Sequence, residues 1–200
     1  MKKVYVLLVA LLTASYTHAQ VSFGIRAGLN FTNVYNNMGS TTVKPGFQAG
    51  VVADIAFNEI LSFQPGLQFS QMGYKVKVDN GVNPYYTGAY DFFTTWNYLQ
   101  IPINLQARFG GFFVQAGPYL GYGIGVRNTI KCDGGARQSQ SVSFDYMELK
   151  SIDLGIGGGI GYQFGPLQAA LNTQSSLINI DDYSMKNFGL ALTIAYFFGK

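Results

Sequence analysis

The stretch VSFGIRAGLNF, residues 21–31, decides the fold class. Its odd positions read Val21, Phe23, Ile25, Ala27, Leu29 and Phe31, and its even positions Ser22, Gly24, Arg26, Gly28 and Asn30. Side chains along a strand point to opposite faces with a period of two, so this segment is a strand with one wholly apolar face and one polar or small face.

The same pattern returns seven times further along the chain. Apolar side chains recur at every second position from Phe47 to Phe57, Leu61 to Phe69, Leu99 to Phe109, Phe112 to Ile124, Ile152 to Tyr162, Leu167 to Thr173 and Phe188 to Phe198. Eight strands form an even number, which lets an antiparallel up-and-down sheet close on itself with both chain ends on one side. The connections alternate as well. Asn58-Glu59, Gly110-Gly111 and Gly165-Pro166 read as tight turns, whereas residues 32–45, 79–95, 127–150 and 178–187 read as long polar loops. Short turns at one end and long loops at the other are the arrangement of outer-membrane barrels, with the short turns periplasmic. Pro65, Pro102 and Pro118 fall inside strands and lack the N–H of a ladder donor, so bulges are expected there.

Alternation alone does not say which face is wet. A soluble domain commonly carries charge on about a quarter to a third of its surface. Here 12% of the whole chain is charged, and the strand cores hold only Arg26, Asp54, Arg108 and Asp153, all on the polar face. The remainder of that face is Gly, Gln, Asn and Ser, which suits a narrow lumen filled by side chains that hydrogen-bond to one another. The apolar face ends in aromatic residues at both edges. Phe57, Phe109, Phe112, Phe164, Tyr196 and Phe198 flank the short turns or the C-terminus, and Phe31, Phe47, Phe69, Tyr122 and Phe188 lie toward the long loops. Two girdles of this kind mark the two membrane interfaces. The expectation is an all-β fold, an eight-stranded antiparallel transmembrane β-barrel with lipid outside.

The first residues fit that destination. Lys2 and Lys3, an apolar run from Val4 to Leu12, and Thr17-His18-Ala19 before Gln20 have the three parts of a cleavable export signal. Residues 1–19 are therefore expected to be a signal peptide and residues 20–200 the barrel domain of a protein integral to a bacterial outer membrane. Removal of residues 1–19 takes away two lysines and the one histidine, and the net charge falls from +3 to +1. The remaining Lys and Arg form no patch with interleaved aromatics, so a nucleic-acid partner is not expected.

Several phrases also resemble a known family. Residues 61–75 (LSFQPGLQFSQMGYK), 98–109 (YLQIPINLQARF) and 113–123 (FVQAGPYLGYG), with a last strand ending in aromatics, resemble the PorT-like outer-membrane β-barrel domain family. The resemblance runs over almost the whole mature chain and implies a porin-like barrel, and the member that lends the family its name takes part in protein secretion. Gly199-Lys200 after Phe198 departs from the usual aromatic terminus.

Loss of His18 with the signal removes Ser-His hydrolysis and His-based metal sites from the mature chain, and no cofactor or metal is expected. Cys132 has no internal disulfide partner because it is the single cysteine. The glycines of residues 121–125 and 155–161 miss the G-x-G-x-x-G spacing and precede no helix, so they are expected to make room for bulky side chains from the opposite wall. Arg26 with Asp54, and Arg127 with Asp153, fall at similar heights on neighbouring strands and are expected to form two structural ion pairs in the lumen, with Arg108 at the periplasmic end. Asp181-Asp182 lacks the interleaved oxygen ligands of a calcium loop. The tyrosines at 85, 86 and 90, with Trp96 beyond, form an aromatic outer loop. The expected function is a non-enzymatic surface scaffold or partner-binding protein, monomeric, surrounded by outer-membrane lipid and meeting a protein or matrix partner through its long extracellular loops. The alternatives are a narrow porin or secretion-associated barrel and, third, a lipid-modifying enzyme.

Overall fold

The computed structural model describes residues 20–35, 41–83, 86–132, 137–147, 149–181 and 184–199. The proposed signal, residues 1–19, lies outside them. Among the described residues nine strands follow one another: β1 (Gln20–Tyr35), β2 (Lys44–Ala56), β3 (Leu61–Asn83), β4 (Tyr86–Phe109), β5 (Phe112–Cys132), β6 (Arg137–Val142), β7 (Ile152–Phe164), β8 (Leu167–Ser176) and β9 (Lys186–Phe197). Eight of them close a ring in which every neighbour is antiparallel, with order β1-β2-β3-β4-β5-β7-β8-β9 and a final ladder from β9 back to β1. Closure leaves no open edge within the ring, which is the condition for strands to cross a bilayer.

The faces are arranged as the charge argument requires. On β1, Phe23 is 67% exposed while its neighbour Ser22 is 4% exposed, and the same contrast runs along the strand to Phe31 and Thr32. Apolar side chains thus line the outside, and the polar set is packed within. The periplasmic turns are built by local chemistry. Asn58 Oδ1 accepts hydrogen bonds from the backbone N–H of Ile60 (2.8 Å) and Leu61 (2.7 Å), a side-chain-stabilised turn. Gly110 and Gly165 occupy φ of 63° and 56°, the left-handed region that glycine enters without penalty.

Three sequence expectations change. Residues 79–95 are not a long loop: β3 and β4 stay paired out to Asn83↔Tyr86, so most of that stretch is a tall hairpin. Within residues 127–150, β5 continues to Cys132 and β6 pairs with it from Val126↔Val142 to Lys131↔Arg137. The polar composition of both stretches hid strands that stand in water rather than lipid. The third change concerns the prolines. Each sits where a ladder lapses for two residues on both strands and then resumes in unchanged register: Pro65 toward β2, Pro102 toward β3 and Pro118 toward β4. A missing N–H removes the bonds on one side of a strand without inserting a residue. The register shifts of β4 lie farther out, between Val78 and Gly81 against β3 and between Asn97 and Tyr98 against β5.

Candidate functional site

The interior has three storeys. At the periplasmic end, Asp54 is fully buried and forms its salt bridge with Arg108 at 2.5 Å. Arg26 donates from Nη2 to Gln64 Oε1 (3.1 Å), and Gln64 Nε2 donates to Asp54 Oδ1 (3.0 Å). Arg26 and Asp54, expected to pair, are joined through Gln64, and Asp54 also takes the Arg108 guanidinium from two strands away. Strand tilt brings β4 level with β2 across β3, a displacement that counting from strand ends does not capture.

The middle storey is a mesh of amides. Gln68 Nε2 donates to Gln48 and Gln100, Gln168 to Gln106, and Asn172 Nδ2 to Thr193 Oγ1 at 2.9 Å. A cavity of about 50 Å³, lined by Arg26, Gln68, Asn104, Gln115 and Tyr119 among others, remains between them. It has room for water. Glycines take part in the filling differently from expectation. Phe113 is paired across the ladder with Gly161, and Tyr119 with Gly155, and each ring lies over the glycine beside it. The rings therefore come from the adjacent strand instead of the opposite wall, because a ring standing on one strand can lie flat over a neighbour that has no Cβ.

At the outer end the lumen becomes an apolar core. Val34, Met72, Trp96, Tyr98 and Val126 from the strands meet Phe144 and Ile180 from the connecting segments, all of them buried. The Tyr98 and Phe144 rings pack edge to face with centroids 5.4 Å apart, as do Tyr74 and Trp96 at 5.6 Å. The segments that supply the cap are tied down by backbone bonds from Leu149 N to Phe144 O and from Lys150 N to Ile180 O. Just beneath, Asp153 accepts from Tyr119 OH (3.3 Å) and Asn187 Nδ2 (3.0 Å). Its expected partner Arg127 lies elsewhere. The register shift opposite Asn97/Tyr98 places an extra residue in β5, so Val126 turns inward and Arg127 is exposed on the outside.

Above the cap, β3, β4, β5 and β6 continue as a four-stranded sheet outside the ring. Cys132 is a free, partly exposed thiol near its tip, beside an open groove that also touches Lys77, Asp91 and Lys131. Asp181 accepts from Met185 N at 2.7 Å, and Asp182 lies outside the described residues.

Residues 14–182 match the family described as outer membrane protein beta-barrel domain. The chain belongs to that family. The match does not show the PorT-like family that the motifs resemble. Among curated protein sequences none matches. Solved structures that share the fold include the following pair. Ail, the attachment invasion locus protein of Yersinia pestis, in a complex with the heparin analogue sucrose octasulfate, is 15% identical, with 90% of this chain and 99% of Ail covered and a TM-score of 0.50. Neisserial surface protein A is 12% identical, with 88% and 98% covered and a TM-score of 0.50.

In an outer-membrane barrel the exposed aromatics have a defined place. Phe57, Phe109, Phe112, Phe164, Tyr196 and Phe198 are exposed around the short-turn end, where Tyr162 packs between Phe112 (4.7 Å) and Phe164 (4.4 Å). Toward the outer end Phe31, Phe47 and Tyr122 are exposed, while Phe69 and Phe188 are half-buried beside Phe47 (5.4 Å) and Tyr35 (5.5 Å). What sequence reasoning missed in this outer-membrane barrel is the cap. Its signal was present as a change of phase: on β3 the apolar residues are odd up to Phe69 and even from Met72 through Tyr74, Val76 and Val78. A strand leaving lipid for water exchanges the solvent of its outer face, and the apolar side moves inward.

Proposed function

We propose that this outer-membrane barrel is a non-enzymatic, non-conducting surface protein, a monomer whose work is done by the sheet of β3 to β6 that it holds above the membrane. The observation that carries this reading is the apolar cap over an amide-filled lumen. An ion following the axis would have to cross both storeys, and a desolvated ion in an apolar constriction is strongly disfavoured. The chain extends its strands where a pore would widen its mouth, which favours binding over transport. The same investment in extramembrane strands argues for a partner met at the cell surface.

Two measurements test this. Purified protein in planar bilayers is expected to show no persistent single-channel steps, and steps that survive repeated purification overturn the non-conducting assignment. A photo-cross-linking residue placed on intact cells at exposed outer-sheet positions such as Ser139 or Ser141 is expected to give defined adducts, compared with lipid-facing Leu192 as control. Adducts indistinguishable from the Leu192 control at every outer-sheet position overturn the surface-binding assignment.

A further inference from the structure

The charges of the outer sheet all lie on one of its faces. In the ladders, Lys77 stands opposite Asp91, Asp91 opposite Lys131, and Lys131 opposite Arg137, so these four form one row across four strands. Residues opposite one another share a face, and so do residues two apart on a strand, which adds Lys75 and Arg127 to the same side. The other face carries Met72, Tyr74, Val76, Trp96, Val126 and their like, which run into the cap. In the part of these ladders beyond Phe69 and Tyr122, the described residues Lys75, Lys77, Arg127, Lys131 and Arg137 and the acid Asp91 therefore look away from the barrel axis. Asp91 is taken up by Lys75 at 2.6 Å, and the Lys75 ammonium also sits over the Phe93 ring, 5.1 Å from its centroid. Lys77, Arg127, Lys131 and Arg137 are exposed. Acids at this end include Asp79, exposed at the register shift of β3, and Asp145, exposed just after β6; Asp133 lies outside the described residues.

Height and direction select a partner. On β3 the charged face continues the side that carries Leu67 and Phe69 into lipid, so it overlooks the membrane surface around the barrel instead of the medium above it. Lys75 and Lys77 lie six and eight residues beyond Phe69, and Arg127 five beyond Tyr122. A rise of about 3.4 Å per residue and a tilt near 45° put them on the order of 12–20 Å above the aromatic girdle. Phospholipid headgroups occupy a layer only about 5–8 Å thick. We propose that this face binds the phosphate-bearing saccharide headgroups of glycolipids in the surrounding outer leaflet, which reach that height and meet the face from the side.

Arginine and lysine both bind phosphate, arginine with the better fork geometry. Single exposed pairs are weak, so the row acts through several contacts at once. The inference rests on the reading of the outer sheet as the working surface and names its partner.

The test uses the full barrel in zwitterionic detergent micelles, with retention of a glycolipid carrying a phosphorylated core oligosaccharide measured by native mass spectrometry and titration. Wild-type protein is expected to prefer this lipid over its dephosphorylated form by about tenfold, on the order of 1.4 kcal/mol. Added salt should weaken that preference. The variant carrying K77Q, R127Q, K131Q and R137Q should lose it, and the variant with K77R and K131R should keep it. Equal retention of the two lipids by wild type, or an unchanged preference in the four-glutamine variant, overturns the proposal. Full competition by free inorganic polyphosphate at equal phosphate concentration would assign the face to soluble polyanions and overturns the membrane partner. The same preparations are recorded in planar bilayers. Silence without a lipid preference removes this inference alone, whereas channel steps remove the closed-barrel reading.

Discussion

A double-mutant cycle on Gly123 and Phe144 tests the apolar cap in quantitative terms. A Cβ built on Gly123 would fall against three carbons of the Phe144 ring, so the glycine on β5 and the ring from the connecting segment share one space. Phe144→Ala removes a ring that is 4% exposed and packed on Tyr98, at a cost of about 3–5 kcal/mol for a buried phenyl group. Gly123→Ala forces the ring aside, at about 1–3 kcal/mol for overpacking. If the two effects were independent, the double variant would lose their sum. With the ring absent, however, the added methyl meets no clash and refills part of the void. The double variant should then be less destabilised than the sum by about 1–3 kcal/mol, the range of coupling between residues in contact. Trp96 is the single tryptophan of the chain and lies within the cap, so its fluorescence reports this region while far-UV circular dichroism reports the ring of strands. Urea unfolding followed by both signals gives the cycle, and a tryptophan transition that precedes the circular-dichroism transition would show the cap opening on its own. Additivity within about 0.5 kcal/mol would refute the shared packing of Gly123 and Phe144.

Other outcomes follow from the interior. Asp54→Ala should destabilise the barrel by about 3–5 kcal/mol, because it leaves the Arg108 guanidinium, and the Gln64 amide that holds Arg26, without their shared acceptor; urea midpoints of wild type and variant measure it. Gln64→Leu should cost less, about 1–3 kcal/mol, since it removes the linking amide and keeps the salt bridge; a loss equal to that of Asp54→Ala would refute this division of roles. Gly117→Ala should weaken the barrel by about 1–3 kcal/mol, because the new methyl would meet the backbone carbonyl of Ile103, which has no rotamer with which to move away. An unchanged urea midpoint there would mean that β4 and β5 part more easily than their ladder suggests.

Much of this protein could be read along the chain. A period of two in apolar residues is a local property, and it located the eight ring strands and the three tight turns. The scarcity of charge on the polar faces, with aromatics at both ends of the apolar face, was enough to turn the sheet inside out, because a membrane span leaves no water to hydrate charge on the outer wall. The phase change between Phe69 and Met72 was equally local, and with it the exit of β3 from lipid could have been placed.

Partners inside the lumen were decided only in three dimensions. Heights counted along separate strands assigned Arg26 to Asp54 and Arg127 to Asp153, whereas the ring joined the first two through Gln64, added Arg108 to Asp54 and turned Arg127 outward. Tilt displaces each strand against the next, and one extra residue in β5 reverses every side chain beyond it. The cap has the same origin: Phe144 and Ile180 lie far apart in sequence and far from Trp96, and only the closed ring brings them together over the lumen. Alternation determines which side of a strand meets lipid; closure and register determine which residues meet one another.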